Sequence, residues 1–228
     1  MSIKVSLKTQ NLPLIILFLA WGVTLYILFI TGIKDFWSDL ISLFDKVNAK
    51  DGFLVSIAPL IIFILSHLID ANKKTVLVFW KLKNPLPGCR AFSEIGPEDP
   101  RIDMNVLKDK LNYIPADPAE QNKTWYKLYK QVVGTITVDS SHKNFLLARD
   151  LTSISFLFLI FTPWLILIIK NDFRMVLVYA LIWFVQYLIL CKVAQNTGER
   201  FVSNVLAEYC SKEPQKEEVK SGNGSKLL

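Results

Sequence analysis

The sequence predicts an all-α, polytopic membrane protein: four transmembrane helices, with a helical cytoplasmic domain between spans 2 and 3. Three observations carry that prediction. There are four uncharged apolar runs, a one-sided distribution of Lys and Arg, and helical spacing of apolar residues through the polar middle of the chain. Composition agrees: 52% of the 228 residues are hydrophobic, above the about 45–50% typical of soluble domains.

A hydrocarbon core of about 30 Å needs roughly 20 helical residues at 1.5 Å each. The first run is uncharged from Thr9 to Ile33 and densest from Leu12 to Ile30, which meets that length. Lys4 and Lys8 precede it as they would in a secretory leader, but the run exceeds an h-region of about 7–15 residues and lacks an A-x-A-like cleavage site. The second run, Gly52 to Ile69, is interrupted only by the neutral Ser56, Pro59, Ser66 and His67. The third, Leu151 to Ile169, and the fourth, Met175 to Cys191, are separated by Lys170 to Arg174, a gap that predicts a tight helical hairpin.

Orientation follows from the basic residues, because positive flanks resist translocation and the inner leaflet is anionic. The two tails and the 70–150 loop together hold 21 Lys and Arg, against 5 in the two remaining loops. Both termini and the long loop are therefore expected inside. Cys89, Cys191 and Cys210 then face a reducing compartment or lie beside it, without C-x-x-C spacing, and are expected as free thiols. The sequons at Asn122 and Asn223 read as chance matches on the same topology.

The expected organisation is a transmembrane pair with an outer amphipathic helix (1–70), a cytoplasmic helical domain (71–150), a transmembrane hairpin (151–194), a cytoplasmic helix (195–210) and a disordered tail (211–228). In the outer loop Ile33, Phe36, Trp37, Leu40, Ile41, Phe44 and Val47 recur at helical spacing opposite Asp35, Asp39 and Asp45. The apolar stretch Thr75 to Trp80 is too short to cross, and is expected to continue the second span or to lie on the membrane surface. Asn84 to Gly88, rich in proline, breaks any helix, and the segment through Pro100 reads as an ordered loop. Asp103 to Asn112 predicts a short helix. Asp117-Pro118-Ala119-Glu120 combines a capping carboxylate, proline at the first helical position and an early acid, the start of a helix carrying Trp125, Leu128, Tyr129, Val132 and Val133. Gly134 to Val138 reads as a connector with Asp139-Ser140-Ser141 capping the next helix, which then meets no breaker before the third span. The fourth span likewise continues through Phe201, Val202, Val205, Leu206 and Tyr209.

Catalytic chemistry finds little support. His67 and His142 lack metal-ligand partners at helical spacing, no nucleotide-loop, zinc-protease or nucleophile-elbow motif occurs, and no catalytic residue, metal or cofactor is expected. The chain does not read as an enzyme. No Asp, Glu, Lys or Arg lies within the four runs, which argues against ion-coupled transport because a driving ion needs a buried ionisable group. Neutral polar residues remain. Gln186 and Thr162 are candidate pore or gate residues, and Pro59 and Pro163 free backbone carbonyls at a candidate kink. In the cytoplasmic domain Arg90, Arg101, Lys108, Lys110, Lys143 and Arg149 are candidate ligand-binding residues, interleaved with Trp125, Tyr126 and Tyr129 in a pattern that can grip phosphates and stack bases. The competing reading is a solvated surface beside anionic lipid, since 70–150 carries 13 basic and 10 acidic residues.

Two spans, a helical basic domain and two further spans resemble the layout of the small four-span membrane effectors of bacterial anti-phage defence systems. That resemblance implies a homo-oligomer, in the working expectation a tetramer, with membrane lipid around it. A nucleotide or oligonucleotide ligand, or a signalling partner protein, would act on the cytoplasmic part to open a channel or permeabilise the membrane. The other expectation is a non-conducting scaffold that anchors a cytoplasmic partner.

Overall fold

The computed structural model describes residues 6–31 and 61–212, and among them every regular element is helical, with no strand. A single capped turn, Leu7–Gln10, leads into α1 (Leu12–Thr31). Helical residues 61–68 are followed by α2 (Ala71–Phe79), α3 (Met104–Leu111), α4 (Pro118–Val132), α5 (Ile136–Lys170) and α6 (Phe173–Ser211). Three of these helices, α1, α5 and α6, are long and apolar enough to cross a membrane. The expected second span lies partly outside the described residues, which include only its helical end at 61–68; Pro59, the amphipathic segment 33–47 and the tail beyond 212 lie wholly outside them.

α5 and α6 form the spine. At 35 and 39 residues they run about 52 and 58 Å, so each projects roughly 20–30 Å beyond a hydrocarbon core. Their hairpin turns on two residues: Asn171 closes α5 with a left-handed φ of 49°, and Asp172 caps α6 by accepting from the amides of Arg174 and Met175.

Around one half of this spine α1 and residues 61–68 build an apolar core centred on Tyr26, Ile62, Phe158, Tyr179 and Trp183. The Phe158 and Trp183 rings stack with centroids 4.4 Å apart, and Phe18 and Phe29 add edge contacts from α1 to Trp183 and Tyr179. Gly22 allows the approach of α1, because a Cβ there would sit 2.5 Å from the Phe158 ring. The outward faces carry exposed Leu17, Ile64, Trp164, Leu181 and Ile189, the surface lipid requires.

The other half packs α2, α3, α4 and the turns between them onto the polar-sided ends of α5 and α6. Its core holds Val78, Phe92, Leu107, Trp125, Leu128, Val138, Phe201, Val202 and Leu206. Gln121, almost wholly buried, ties it together: its carbonyl accepts from the amides of Phe92 and Ser93 and its amide donates to the Ala116 carbonyl. Full pairing is what makes a buried carboxamide tolerable here.

Three expectations change. Thr75 to Trp80 does not extend the helix of 61–68; Asp70 caps a new helix, and Val78 and Phe79 enter the polar-half core. The 84–100 loop is mostly helical turns, a 3₁₀ turn at Pro87–Arg90, a π turn at Ala91–Ile95 and a short helix at Gly96–Glu98, because apolar Ala91, Phe92 and Ile95 gain burial that way. α5 starts at Ile136, earlier than the expected cap, and Asp139 instead accepts from the Gly134 amide to fix the preceding turn. The fourth span continues unbroken through Phe201, Val202, Val205, Leu206 and Tyr209 as part of α6, as the sequence predicts.

Candidate functional site

α4 is amphipathic, and one face presents Asn122, Trp125, Tyr126 and Tyr129 at i, i+3, i+4 and i+7. Opposite stand His142 and Phe145 of α5 and Phe201 of α6, with Leu86, Pro87 and Gly88 closing one end, and together they line a cavity of about 330 Å³. Gly88 is required by this closure, since a Cβ would lie 2.4 Å from Asn122 Oδ1 and 2.9 Å from the Trp125 ring. His142 lies flat on Phe201 at 4.5 Å, and Tyr129 meets both edge-on at 5.5 Å. The Tyr129 hydroxyl and His142 Nδ1 share a hydrogen bond of 3.1 Å.

Burial lowers the His142 pKa, the Arg149 charge lowers it further and Asp139 opposes. The ring is therefore neutral at pH 7 and faces the cavity as a stacking surface. Burial likewise raises the Tyr129 pKa, helped by Asp139 and Tyr126. Lys130 stands 5.0 Å over the Tyr126 ring and Arg149 5.9 Å over Phe145, so positive charge lies near the aromatic walls. A planar ring with an anionic substituent suits such a cavity.

The six basic candidates are not brought to one place. Arg90 and Arg101 share a charged cleft of about 660 Å³ with Glu94, Glu98, Asp99 and Glu199. There Arg101 pairs with Asp99 through two bonds of 3.0 and 2.7 Å, and Arg90 reaches Glu94 at 3.1 Å and Glu199 at 3.8 Å. The Arg101 bonds hold the Asp99 carboxyl down at about 2. Lys110 donates to the carbonyls of Tyr209, Cys210 and Lys212, capping the end of α6. Lys108 is exposed, Lys143 lines a separate groove with Ser6 and Gln10 and accepts at its carbonyl from Asn11, and Arg149 adjoins Asp150.

Of the membrane candidates, Thr162 is buried, with Oγ1 2.6 Å from the Phe158 carbonyl and 2.9 Å from the Tyr179 hydroxyl. Pro163 is buried within α5. Gln186 is half-buried and accepts from the Trp21 indole of α1 at 3.4 Å.

Where the two halves meet, Lys74 of α2 and Asp150 of α5 form an ion pair of 2.8 Å in which each residue is 4% exposed, with Arg149 at 3.5 Å from the same carboxylate oxygen. Burial lowers the Lys74 pKa against the opposing pull of Asp150. Beside it, α6 caps the end of α2: Tyr187 donates to the Leu77 carbonyl at 2.7 Å, Gln195 donates to that of Val78 at 2.8 Å, and the Cys191 thiol lies between at 3.5 Å from Leu77. These residues at i, i+4 and i+8 satisfy carbonyls that the helix end leaves open.

Phe145, Phe201, Asn122 and Gly88 were not among the sequence-predicted site residues. The 122–129 periodicity was visible, but its partners come from helices more than ten residues away in sequence. Over the described residues, fold and site together define a helical protein with three candidate membrane-crossing helices and an aromatic cavity in its polar half. No family model, curated protein or solved structure matches this chain.

Proposed function

We propose that this chain is a subunit of an oligomeric membrane channel, or membrane-permeabilising effector, gated by a nucleotide bound in the aromatic cavity of its cytoplasmic half. Four spans, cytoplasmic termini and a place in bacterial anti-phage defence at the inner membrane belong to the same reading. One observation carries it: two walls of the cavity belong to α5 and α6, the helices that run unbroken into the membrane half. His142 and Phe145 precede Leu151 by six to nine residues, about 9–14 Å along the helix. A ligand that binds better with the α4 wall displaced therefore shifts the equilibrium of the spans themselves. The base would stack among Trp125, Tyr129, His142 and Phe201, and the phosphates would meet Lys130 and Arg149.

The apolar core packed among the described membrane helices supports a conducting path between copies rather than through one. That same filled core favours a second reading, a non-conducting scaffold that anchors a cytoplasmic partner. Purified protein in liposomes loaded with an ion-sensitive dye separates the two. A channel releases the gradient with at least one of a panel of mono-, cyclic and oligonucleotides, and F201A abolishes that response. No flux with any nucleotide, alongside measurable nucleotide binding, rejects the channel.

A further inference from the structure

We infer that Gln186 and Trp21 mark the contact at which a second copy of this chain packs inside the membrane. The inference deepens the channel reading and rests on its premise that copies associate. Trp21 stands nine residues from Leu12 and ten from Thr31, about 14–15 Å from either end of α1. Gln186 lies 13 residues into α6, about 20 Å from its start. Both are thus near mid-depth, where tryptophan is out of its usual interfacial place, and Trp21 is 51% exposed there.

The Trp21 indole occupies Gln186 Oε1. Among the described residues Gln186 Nε2 has no partner, and the side chains around the pair are exposed Leu17, Ile182, Val185 and Ile189. Lipid tails offer no acceptor to an amide donor. A carboxamide is both donor and acceptor, so two Gln186 side chains related by a two-fold axis complete each other, as an isologous contact requires. Mid-membrane amides of this kind act as interhelical glue.

The test is energy transfer between donor- and acceptor-labelled full-length chains diluted in vesicles, without nucleotide. Wild type associates, Q186L weakens association about tenfold, Q186N keeps most of it, and L177A, an exposed change elsewhere on α6, leaves it unaltered. A wild-type chain that stays monomeric at every dilution, or a Q186L chain that associates like wild type, overturns the contact. If Q186L does not fold, a photoreactive residue at Val185 decides: a crosslinked dimer supports the contact, and its absence overturns it. Failure of the channel reading looks different, as Gln186-dependent association without ion flux under any nucleotide.

Discussion

Replacing Lys74 tests the junction between the halves most directly. Its ammonium and the Asp150 carboxylate are both withdrawn from solvent, and among the described residues Arg149 also pairs with that carboxylate, at 3.5 Å. Removing one member of a buried pair destabilises by about 3–5 kcal/mol, because the survivor is left desolvated and uncompensated. The three charges make the outcome asymmetric. K74M leaves Asp150 with Arg149, so the loss sits at the low end, about 3 kcal/mol. D150L leaves Lys74 and Arg149 facing one another without an anion, at the upper end, about 5 kcal/mol. The double variant K74M/D150L removes the desolvated pair, and its loss falls below that of D150L by about 2 kcal/mol or more. Reversible unfolding in mixed micelles, followed by near-UV circular dichroism, orders the variants. K74M as damaging as D150L, or a double variant no better than D150L, refutes the reasoning.

Three other outcomes follow from the same structure. G198A places a Cβ 2.9 Å from the Phe145 ring and 3.3 Å from Phe79, and overpacking there is expected to lower stability by about 1–3 kcal/mol, read as a lower unfolding midpoint. Q195L leaves the Val78 carbonyl unpaired and Y187F leaves that of Leu77 with only the Cys191 thiol, at about 1 kcal/mol apiece, and amide exchange is expected to quicken in 77–80 with little change in α4. His142 has a folded pKa below its unfolded value of about 6.5, so the unfolded state takes up the proton first. Stability is therefore full above about pH 6.5 and declines as pH falls below it; the wild-type midpoint drops between pH 7.5 and 5.5, and H142F flattens that drop. Asp99, held at about 2 against 3.8 when unperturbed, adds a second loss only as pH falls from 3.8 towards 2.

Much of the architecture was legible from local signals. The Asp117-Pro118 start of α4, the short helix within Asp103 to Asn112 and the tight hairpin between Lys170 and Arg174 are where the sequence predicts them, since capping and turn chemistry act within a few residues. The early start of α5 was missed because Asp139 looks like a cap until the Gly134 amide is seen to be its donor. The π turn at Ala91–Ile95 was missed because prolines on either side suggest a loop, while burial of Phe92 and the Gln121 clamp come from a segment 29 residues on.

The site divides the same way. Charge type and spacing alone put Arg90, Arg101 and Lys110 in one list with Lys143 and Arg149, yet each found a different partner: Glu94 and Glu199, Asp99, the α6 carbonyls, Asn11 and Asp150. By itself the sequence determined that the chain is helical and that three described segments can cross a membrane, because length, apolarity and capping are properties of contiguous residues. Only the tertiary structure decided that α4, α5 and α6 close an aromatic cavity and that Lys74 meets Asp150. Those contacts join different helices, from Tyr129 with His142, 13 positions apart, to Lys74 with Asp150, 76 apart, and Trp125 with Val202, 77 apart, and no local pattern records which distant face a side chain will meet.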